Sequence, residues 1–283
     1  MSTFNDPDLF LLEKCLKGNR ESLEELILNF QNKIFTLSHQ FLWNVEDAED
    51  ATQEILVKII TKLSSFRRES KLSTWIYRVS VNHLIDFKKS KQEEKNLKFN
   101  YIQQEILNNQ NYTNQHGLDV NLYEPIVRTS CTYAMLLCLN RSYRIAFILG
   151  SIFNLKSDEA AWILEIPAET YRKRLSRSKN RMNQFMKSNC GLVLESNSCR
   201  CANRIDYAVG RGSLQPLLKM SQELHNSKEW KIAEEVLENS EEILEMEKVF
   251  RTNPKYPFRK NWIHELKEMI ESKNNIIFET KMN

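Results

Sequence analysis

From Glu21 onward the apolar side chains fall at Leu23, Leu26, Ile27, Phe30, Ile34, Leu37 and Phe41. Steps of three and four place them on one stripe of a long helix. Gly18-Asn19 breaks that helix from a shorter one over 8–17. A third helix has Ala48, Ala51, Ile55, Ile59 and Leu63 on its inner face, and a fourth, over 74–89, carries Trp75, Ile76, Val79, His83 and Phe87. Residues 1–95 therefore read as one compact helical domain. Between Asn96 and Asn121 the pattern fades, with 7 Asn and 4 Gln in 26 residues. Such a stretch cannot bury enough surface to fold alone, and 96–127 reads as a linker. A second helical block covers 128–189. Its cadence is helix-turn-helix: Ser157-Asp158-Glu159 as a cap, Ala160, Ala161, Ile163 and Leu164 as the first helix, a turn through Glu165-Ile166-Pro167, and a new helix from Ala168. Residues 190–283 form an extension. It holds an amphipathic helix over 227–248 with 8 Glu against 3 Lys, a loop marked by Pro254 and Pro257, and a last short helix through Trp262, Ile263, Leu266, Met269 and Ile270.

Composition agrees with that reading. Only 6 Gly and 6 Pro in 283 residues argue against a sandwich or barrel, which needs many tight turns. The expected fold is all-α: two helical domains joined by a flexible linker, plus a helical C-terminal extension. No apolar run approaches a membrane span, and MSTFNDPDLF has neither the basic start nor the apolar stretch of a secretory signal. The expectation is a soluble cytoplasmic chain with no membrane partner. Enzymatic signatures are missing as well. His264-Glu265 lacks a second histidine four residues on, and Gly210-Arg211-Gly212 lacks a third glycine and a preceding strand. No catalytic residue is assigned, and the chain is not expected to be an enzyme.

The formal charge of +3 averages over strongly segregated segments. Residues 172–181 hold six cations and no acid, directly after the helix-turn-helix cadence. That is the make-up of a recognition helix: cations for phosphates, with Arg, Ser and Asn to read base edges. Thr170 and Tyr171 fall in its first turn. Residues 46–54 carry five carboxylates, and Asp47, Asp50 and Glu54 share one outward stripe. Acids early in a helix suit its macrodipole, but a stripe this acidic repels DNA and suits a basic protein surface. Residues 66–91 reverse the sign, with seven Lys or Arg against two acids and Phe66, Trp75, Tyr77 and Phe87 interleaved. Cations along a backbone with aromatics for stacking suit single-stranded nucleic acid, although Trp75 and Phe87 also fit a core. Cys15, Cys131 and Cys138 sit singly in apolar patterns and read as buried thiols. Cys190, Cys199 and Cys201 crowd into twelve residues. Zinc, with His225 or an exogenous ligand as the fourth donor, redox chemistry beside Arg200, and plain packing all stay open. The C-x8-C-x-C spacing is not a standard zinc motif.

The run Asp47-Ala48-Glu49-Asp50-Ala51-Thr52-Gln53-Glu54, then Phe66-Arg67, then Ser73-Thr74-Trp75-Ile76-Tyr77-Arg78-Val79-Ser80-Val81-Asn82, resembles region 2 of extracytoplasmic-function (ECF) sigma factors of the sigma-70 family. The block from Tyr143 to Met182 resembles their region 4, with Glu165 where the helix-turn-helix turn usually has glycine. The tail resembles the cysteine-rich extension of some members. The resemblance implies a protein that binds core RNA polymerase and directs promoter-specific initiation. Asp47, Asp50, Gln53 and Glu54 would meet the clamp helices of the largest subunit. Phe66, Arg67, Ser73, Thr74, Trp75, Tyr77, Arg78, Asn82, His83, Lys88 and Lys89 would recognise and melt the −10 element. Thr170, Tyr171, Arg172, Lys173, Arg174, Ser176, Arg177 and Lys179 would read the −35 element. The polymerase flap region, promoter DNA and an anti-sigma factor complete the implied partners. The acidic 227–248 helix is expected to dock on the basic regions in an off state. Two other readings stay open: a helix-turn-helix regulator that never touches polymerase, and a metal or redox sensor that uses the same scaffold for protein contacts.

Overall fold

The computed structural model describes residues 8–108, 117–212, 214–224, 227–228, 230–232, 235 and 244–258. Four helices make the N-terminal bundle: α1 (Leu9–Leu16), α2 (Arg20–Leu42), α3 (Val45–Lys62) and α4 (Leu72–Asp86). Asn19 caps α2 by accepting from the Ser22 N–H at 2.7 Å, and Asn44 caps α3 by accepting from the Asp47 N–H at 2.8 Å. Each cap satisfies an otherwise orphaned donor and contributes about 1 kcal/mol. The α2 stripe behaves as its spacing requires. Leu26, Phe30, Ile34, Leu37 and Phe41 are buried against Ala48, Ala51 and Ile55 of α3 and Ile76 and Leu84 of α4. The two alanines let α2 and α3 approach closely, and each large side chain removed from water contributes roughly 1.5–3 kcal/mol.

The amide-rich stretch is not wholly irregular. A short α5 (Lys91–Glu94) is closed by a reciprocal Ser90/Glu93 capping box, and α6 (Phe99–Asn108) follows. Phe99, Ile102 and Ile106 share one side of α6, and the Phe99 ring stands 5.1 Å from Phe185. Arg204 donates to the Glu105 carbonyl at 3.2 Å, and Arg211 pairs with the Glu105 carboxylate. This helix forms because distant segments cover it.

The second block opens earlier than residue 128, with α7 (Val120–Leu137). Then come α8 (Arg141–Phe147), which runs into a π turn over Ile148–Ile152, α9 (Ser157–Ile163) and α10 (Ala168–Asn189). Gly150 is required at the π turn, since a Cβ there would lie 2.5 Å from the Tyr171 hydroxyl oxygen. In the tail, α11 (Ile205–Gly210), α12 (Gln215–Leu224) and α13 (Met246–Arg251) are described. Most of the acidic helix expected over 227–248 and all of the helix expected over 262–270 lie outside the described residues. Among the described residues there is no strand, only an isolated bridge between Cys190 and Cys199.

Two of the connections between the N-terminal bundle and the second block are built largely on backbone groups. At the first, two arginines of α8 reach into the end of the bundle. Arg141 donates to the carbonyls of Leu84, Ile85 and Phe87, at 3.3, 2.8 and 2.6 Å, and pairs with Glu93 at 2.6 Å. Arg144 is 3% exposed and donates to the carbonyls of Phe41 (2.7 Å), Leu136 (3.1 Å) and Leu139 (3.1 Å) and to Glu93 (2.7 Å). Cations suit helix C-termini, where carbonyls lack intrahelical partners. Burial pushes the Glu93 carboxyl up, but the hydrogen bond from Arg141 and the charge of Arg144 outweigh it and hold the group below its ordinary value. The second connection is a strap over 244–258. The Leu244 N–H donates to the Leu192 carbonyl (2.8 Å), Arg251 to the Ser151 carbonyl (2.7 Å), Asn253 to the Thr132 hydroxyl (2.7 Å), and the Phe258 N–H to the Asn32 side chain (3.0 Å).

Candidate nucleic-acid interface

The acidic stripe runs along the outer side of α3. Asp50 and Glu54 are exposed and Gln53 is half-buried, on the side opposite the core positions Ala51, Thr52 and Ile55. Asp47 differs, with its side chain 14% exposed and 3.6 Å from the Lys88 ammonium. The acidic stripe and the basic end of α4 therefore meet at their edges. His83 belongs to this junction. It is buried, Lys58 stands 2.6 Å from its Nδ1, and Glu54 lies 3.5 Å from its Nε2. Burial, then Lys58, lowers its pKa, so it is held neutral.

The loop before α4 exposes Arg67, and Arg68 there takes a left-handed φ of 58°, while Ser73 in the first turn of α4 is half-buried. Phe66 and Trp75 pack as tilted rings with centroids 5.7 Å apart, both half-buried. Lys88 and Lys89 are exposed just beyond the helix. Phe87, which equally fitted core and surface, is a core residue.

The other face of α4 is covered by the helix-turn-helix. Thr74 donates to the Glu159 carboxylate at 2.7 Å, and Tyr77 meets Phe153 edge-on at 5.6 Å. Arg78 pairs with Glu165 and lies 4.5 Å above the Trp162 ring, while Asn82 donates to the other Glu165 oxygen at 3.4 Å. Burial, and then the Glu159 charge, pushes the Tyr77 phenol up to about 12. Four of the residues expected to read DNA thus face α9 and its following turn.

The α10 surface is open. Arg172, Lys173, Ser176 and Arg177 are exposed, Thr170, Arg174 and Lys179 half-buried. Arg177 donates to the Tyr143 hydroxyl at 3.4 Å, and Arg181 lies 5.1 Å above the same ring. Lys179 reaches Glu247 of the strap at 2.6 Å. Tyr171 corrects the expectation. It is wholly buried and its hydroxyl donates to the Ala146 carbonyl at 3.3 Å, so it packs α10 on α8 and cannot reach a phosphate. A first-turn position faces inward as readily as outward, and here the apolar ring decides.

The turn between α9 and α10 is a Schellman closure. The Ile166 N–H donates to the Ala161 carbonyl at 3.1 Å and the Glu165 N–H to the Trp162 carbonyl at 3.3 Å. Glu165 occupies the left-handed position, at φ 53°, where glycine is free of strain and a non-glycine residue costs about 1 kcal/mol. The Glu165 carboxylate faces Arg78 and Asn82.

Cys190, Cys199 and Cys201 come together against Cys131 of α7. Burial, first of all, raises each of the four thiols, and neighbouring sulfurs add to that for Cys131, Cys199 and Cys201. None is in a disulfide. His225 lies outside the described residues, and among those described no group of three or more His, Cys, Asp or Glu is set to hold a metal ion. No described helix is long and apolar enough to cross a membrane. Arg141, Arg144, Glu159 and Trp162 are partners that sequence reasoning did not single out. Only the acids at the start of α9 carried a signal.

An all-helical chain with an acidic stripe, an aromatic-basic helix and a basic second helix of a helix-turn-helix defines a transcription factor of the promoter-binding kind. The family "Sigma-70 region 2" matches residues 26–94. The ECF RNA polymerase sigma factor SigW of Bacillus subtilis (strain 168) is 26% identical over 182 residues, spanning 62% of this chain and 95% of the relative. The ECF RNA polymerase sigma-E factor of Escherichia coli (strain K12) is 26% identical over 183 residues, spanning 61% and 90%. Among solved structures, CnrH in complex with the cytosolic domain of CnrY aligns with TM-score 0.47 and 16% identity over 65% of this chain and 99% of that one. Residues 26–94 thus carry sigma-70 region 2, and over about three fifths of its length the chain is similar to ECF sigma factors. Its activity is that of an RNA polymerase sigma factor, directing transcription initiation.

Proposed function

We propose that the work of initiation is divided among three surfaces of this chain. Asp50 and Glu54, with Gln53 and Asp47 beside them, dock α3 on a basic surface of core polymerase, the clamp helices. Phe66, Trp75 and the α4 side chains Thr74, Tyr77, Arg78 and Asn82 take and hold the opened −10 strand, with Arg67, Ser73, Lys88 and Lys89 around it. A base leaves the stack only if aromatic and polar contacts replace those it loses, and the Phe66–Trp75 pair beside exposed cations offers both. The exposed residues of α10, Arg172, Lys173, Ser176 and Arg177 with Arg174, read the −35 element while the helix-turn-helix block rests on the flap region.

The observation that carries this reading is the segregation of charge. The acids of α3 and the cations of α10 lie on separate helices of one chain, so that each meets a partner of opposite sign. Reconstitution with core polymerase tests it. The purified chain should start transcripts from promoters found by mapping start sites after forced expression. Asp50→Lys or Glu54→Lys should abolish core binding while leaving free DNA affinity unchanged. A regulator that never touches polymerase would bind DNA and start nothing.

Regulation by the extension is the second part of the reading. The strap ties Asn32 of the bundle to Ser151 and Thr132 of the second block, and Glu247 engages Lys179. Removing 190–283 should therefore raise promoter-directed transcription. Unchanged transcription under every redox and metal condition would refute a regulatory tail. An anti-sigma partner would have to compete with contacts the chain makes with itself. For the tail cysteines, their burial supports packing over zinc. Zinc analysis of the purified chain, before and after Cys199→Ser, decides between them. The proposed compartment is that of RNA polymerase, the cytoplasm.

A further inference from the structure

Where the strap crosses the bundle, residues of α2, α4, the second block and the strap line a cavity of about 680 Å³. Small-molecule sites span roughly 300–1,000 Å³. Its inner wall is aromatic. His39 stacks on Phe35 with ring centroids 5.5 Å apart and meets Tyr133 and Tyr256 edge-on at 5.0 and 6.0 Å, and all four are buried. Burial lowers the His39 pKa to about 3, so this wall carries no charge. Such a surface suits a flat aromatic ring.

Two buried atoms of the lining residues, Gln40 Oε1 and Asn253 Oδ1, have no hydrogen-bond partner among the described residues. The Asn253 amide cannot be turned round to satisfy its oxygen. Its Nδ2 donates to the Thr132 hydroxyl at 2.7 Å, and the proton of that hydroxyl goes to the Arg128 or Thr129 carbonyl, at 3.0 and 2.8 Å. A hydroxyl so committed can only accept, which holds the amide nitrogen against it and leaves the oxygen over. Buried acceptors without a donor are costly, and a ligand carrying N–H groups relieves them. Charge lies at the mouth. Lys33, Arg251 and Lys255 line the cavity and are exposed, and no Asp or Glu is among its described lining residues. An uncharged aromatic interior behind a cationic rim selects a ligand that is flat at one end and anionic at the other.

We propose that this cavity binds a purine nucleotide, with the base against the Phe35, His39, Tyr133 and Tyr256 rings, its N–H groups toward Gln40 and Asn253, and its phosphates at Lys33, Arg251 and Lys255. A two-ring base offers the larger stacking face, and its amino group supplies the donors that two amide oxygens lack. Of the residues assigned above to DNA or polymerase, only Tyr77 lines the cavity, so the site stands independently of that division of work. Because the strap supplies part of the wall, a bound nucleotide would fasten the strap to both blocks.

The test is calorimetric titration of the full-length chain with GTP and ATP, and with guanosine, adenosine and inorganic triphosphate as partial probes. At least one nucleotide should bind at one per chain, roughly tenfold or more tighter than triphosphate or either nucleoside. Binding of triphosphate as tight as that of GTP and ATP, or no binding of either nucleotide, would overturn the proposal. Lys33→Gln combined with Lys255→Gln alters two exposed side chains and should weaken nucleotide binding about tenfold. Loss of binding in Arg172→Gln with Lys173→Gln, but not in the Lys33 and Lys255 variant, would place the nucleotide on α10 and refute this site. Hydrogen exchange gives a second measure. Saturating nucleotide should slow exchange over 250–257 and 32–40, and binding without such slowing would mean that the nucleotide sits elsewhere.

Discussion

The two basic helices of this chain carry similar chemistry and live in different surroundings. α10 presents Arg172, Lys173, Ser176 and Arg177 to solvent, and Lys179 pairs with Glu247 of the strap. α4 has Thr74, Arg78 and Asn82 engaged by carboxylates of the other block, with the backbone at its C-terminal end gripped by Arg141. A positively charged helix is therefore not by itself an available DNA site. Availability depends on how far the fold covers the helix, and here the other block covers one face of α4 while most of the α10 cations stay exposed.

That contrast can be broken most forcefully at Glu93. Replacing it with alanine strands Arg144 in the interior, and removing one partner of a buried pair costs roughly 3–5 kcal/mol. Denaturant unfolding of the whole chain should show a loss of that size, together with easier separation of the blocks. Acid should act the same way. The Glu93 carboxyl is held below its ordinary value, so its contribution is complete above the pKa it has in the unfolded chain. It fades as pH falls through the lower folded value. Stability measured from pH 7 downward should decline on the acid side in the native chain and much less in Glu93→Gln. A smaller effect is expected at Trp75, where alanine removes a stacking ring worth about 1–3 kcal/mol per base. Open-complex formation with core polymerase should weaken accordingly, while duplex binding by α10 stays intact. Arg177→Ala should cost roughly 1–3 kcal/mol in promoter binding and relax sequence preference at one −35 position, read by binding to a randomised duplex pool. Lys179→Ala should be the mildest. Its pair with Glu247 is partly exposed and contributes at most about 1 kcal/mol, seen as a small rise in strap mobility by hydrogen exchange.

Much of this arrangement was legible in the residues. The α2 stripe, the Asn19 break and the helix start after Pro167 followed from spacing and capping, because those signals are local. The left-handed turn at Glu165 was readable for the same reason. The purpose of that residue was not, since Arg78 lies far away in the chain and no periodicity reports long-range ion pairs. α6 was lost among amides although Phe99, Ile102 and Ile106 kept helical spacing. Its apolar face is covered by residues distant in the chain, as the Phe99–Phe185 contact shows. Tyr171 misled in the opposite direction, its polar tip suggesting surface while its ring is wholly buried. The carbonyls taken by Arg141 and Arg144 belong to backbone, which has no sequence signature.

Those carbonyls bear on how the molecule can be taken apart. A fragment ending near residue 95 would retain Glu93 and the helix ends at Phe41 and Leu84 but forfeit the guanidinium groups of Arg141 and Arg144 that serve them. A fragment starting at α7 would keep Arg144 with the Leu136 and Leu139 carbonyls alone. Each half is thus chemically incomplete at its cut face, so recombining the two separately made pieces should restore cooperative melting, as happens when a severed protein heals by complementation.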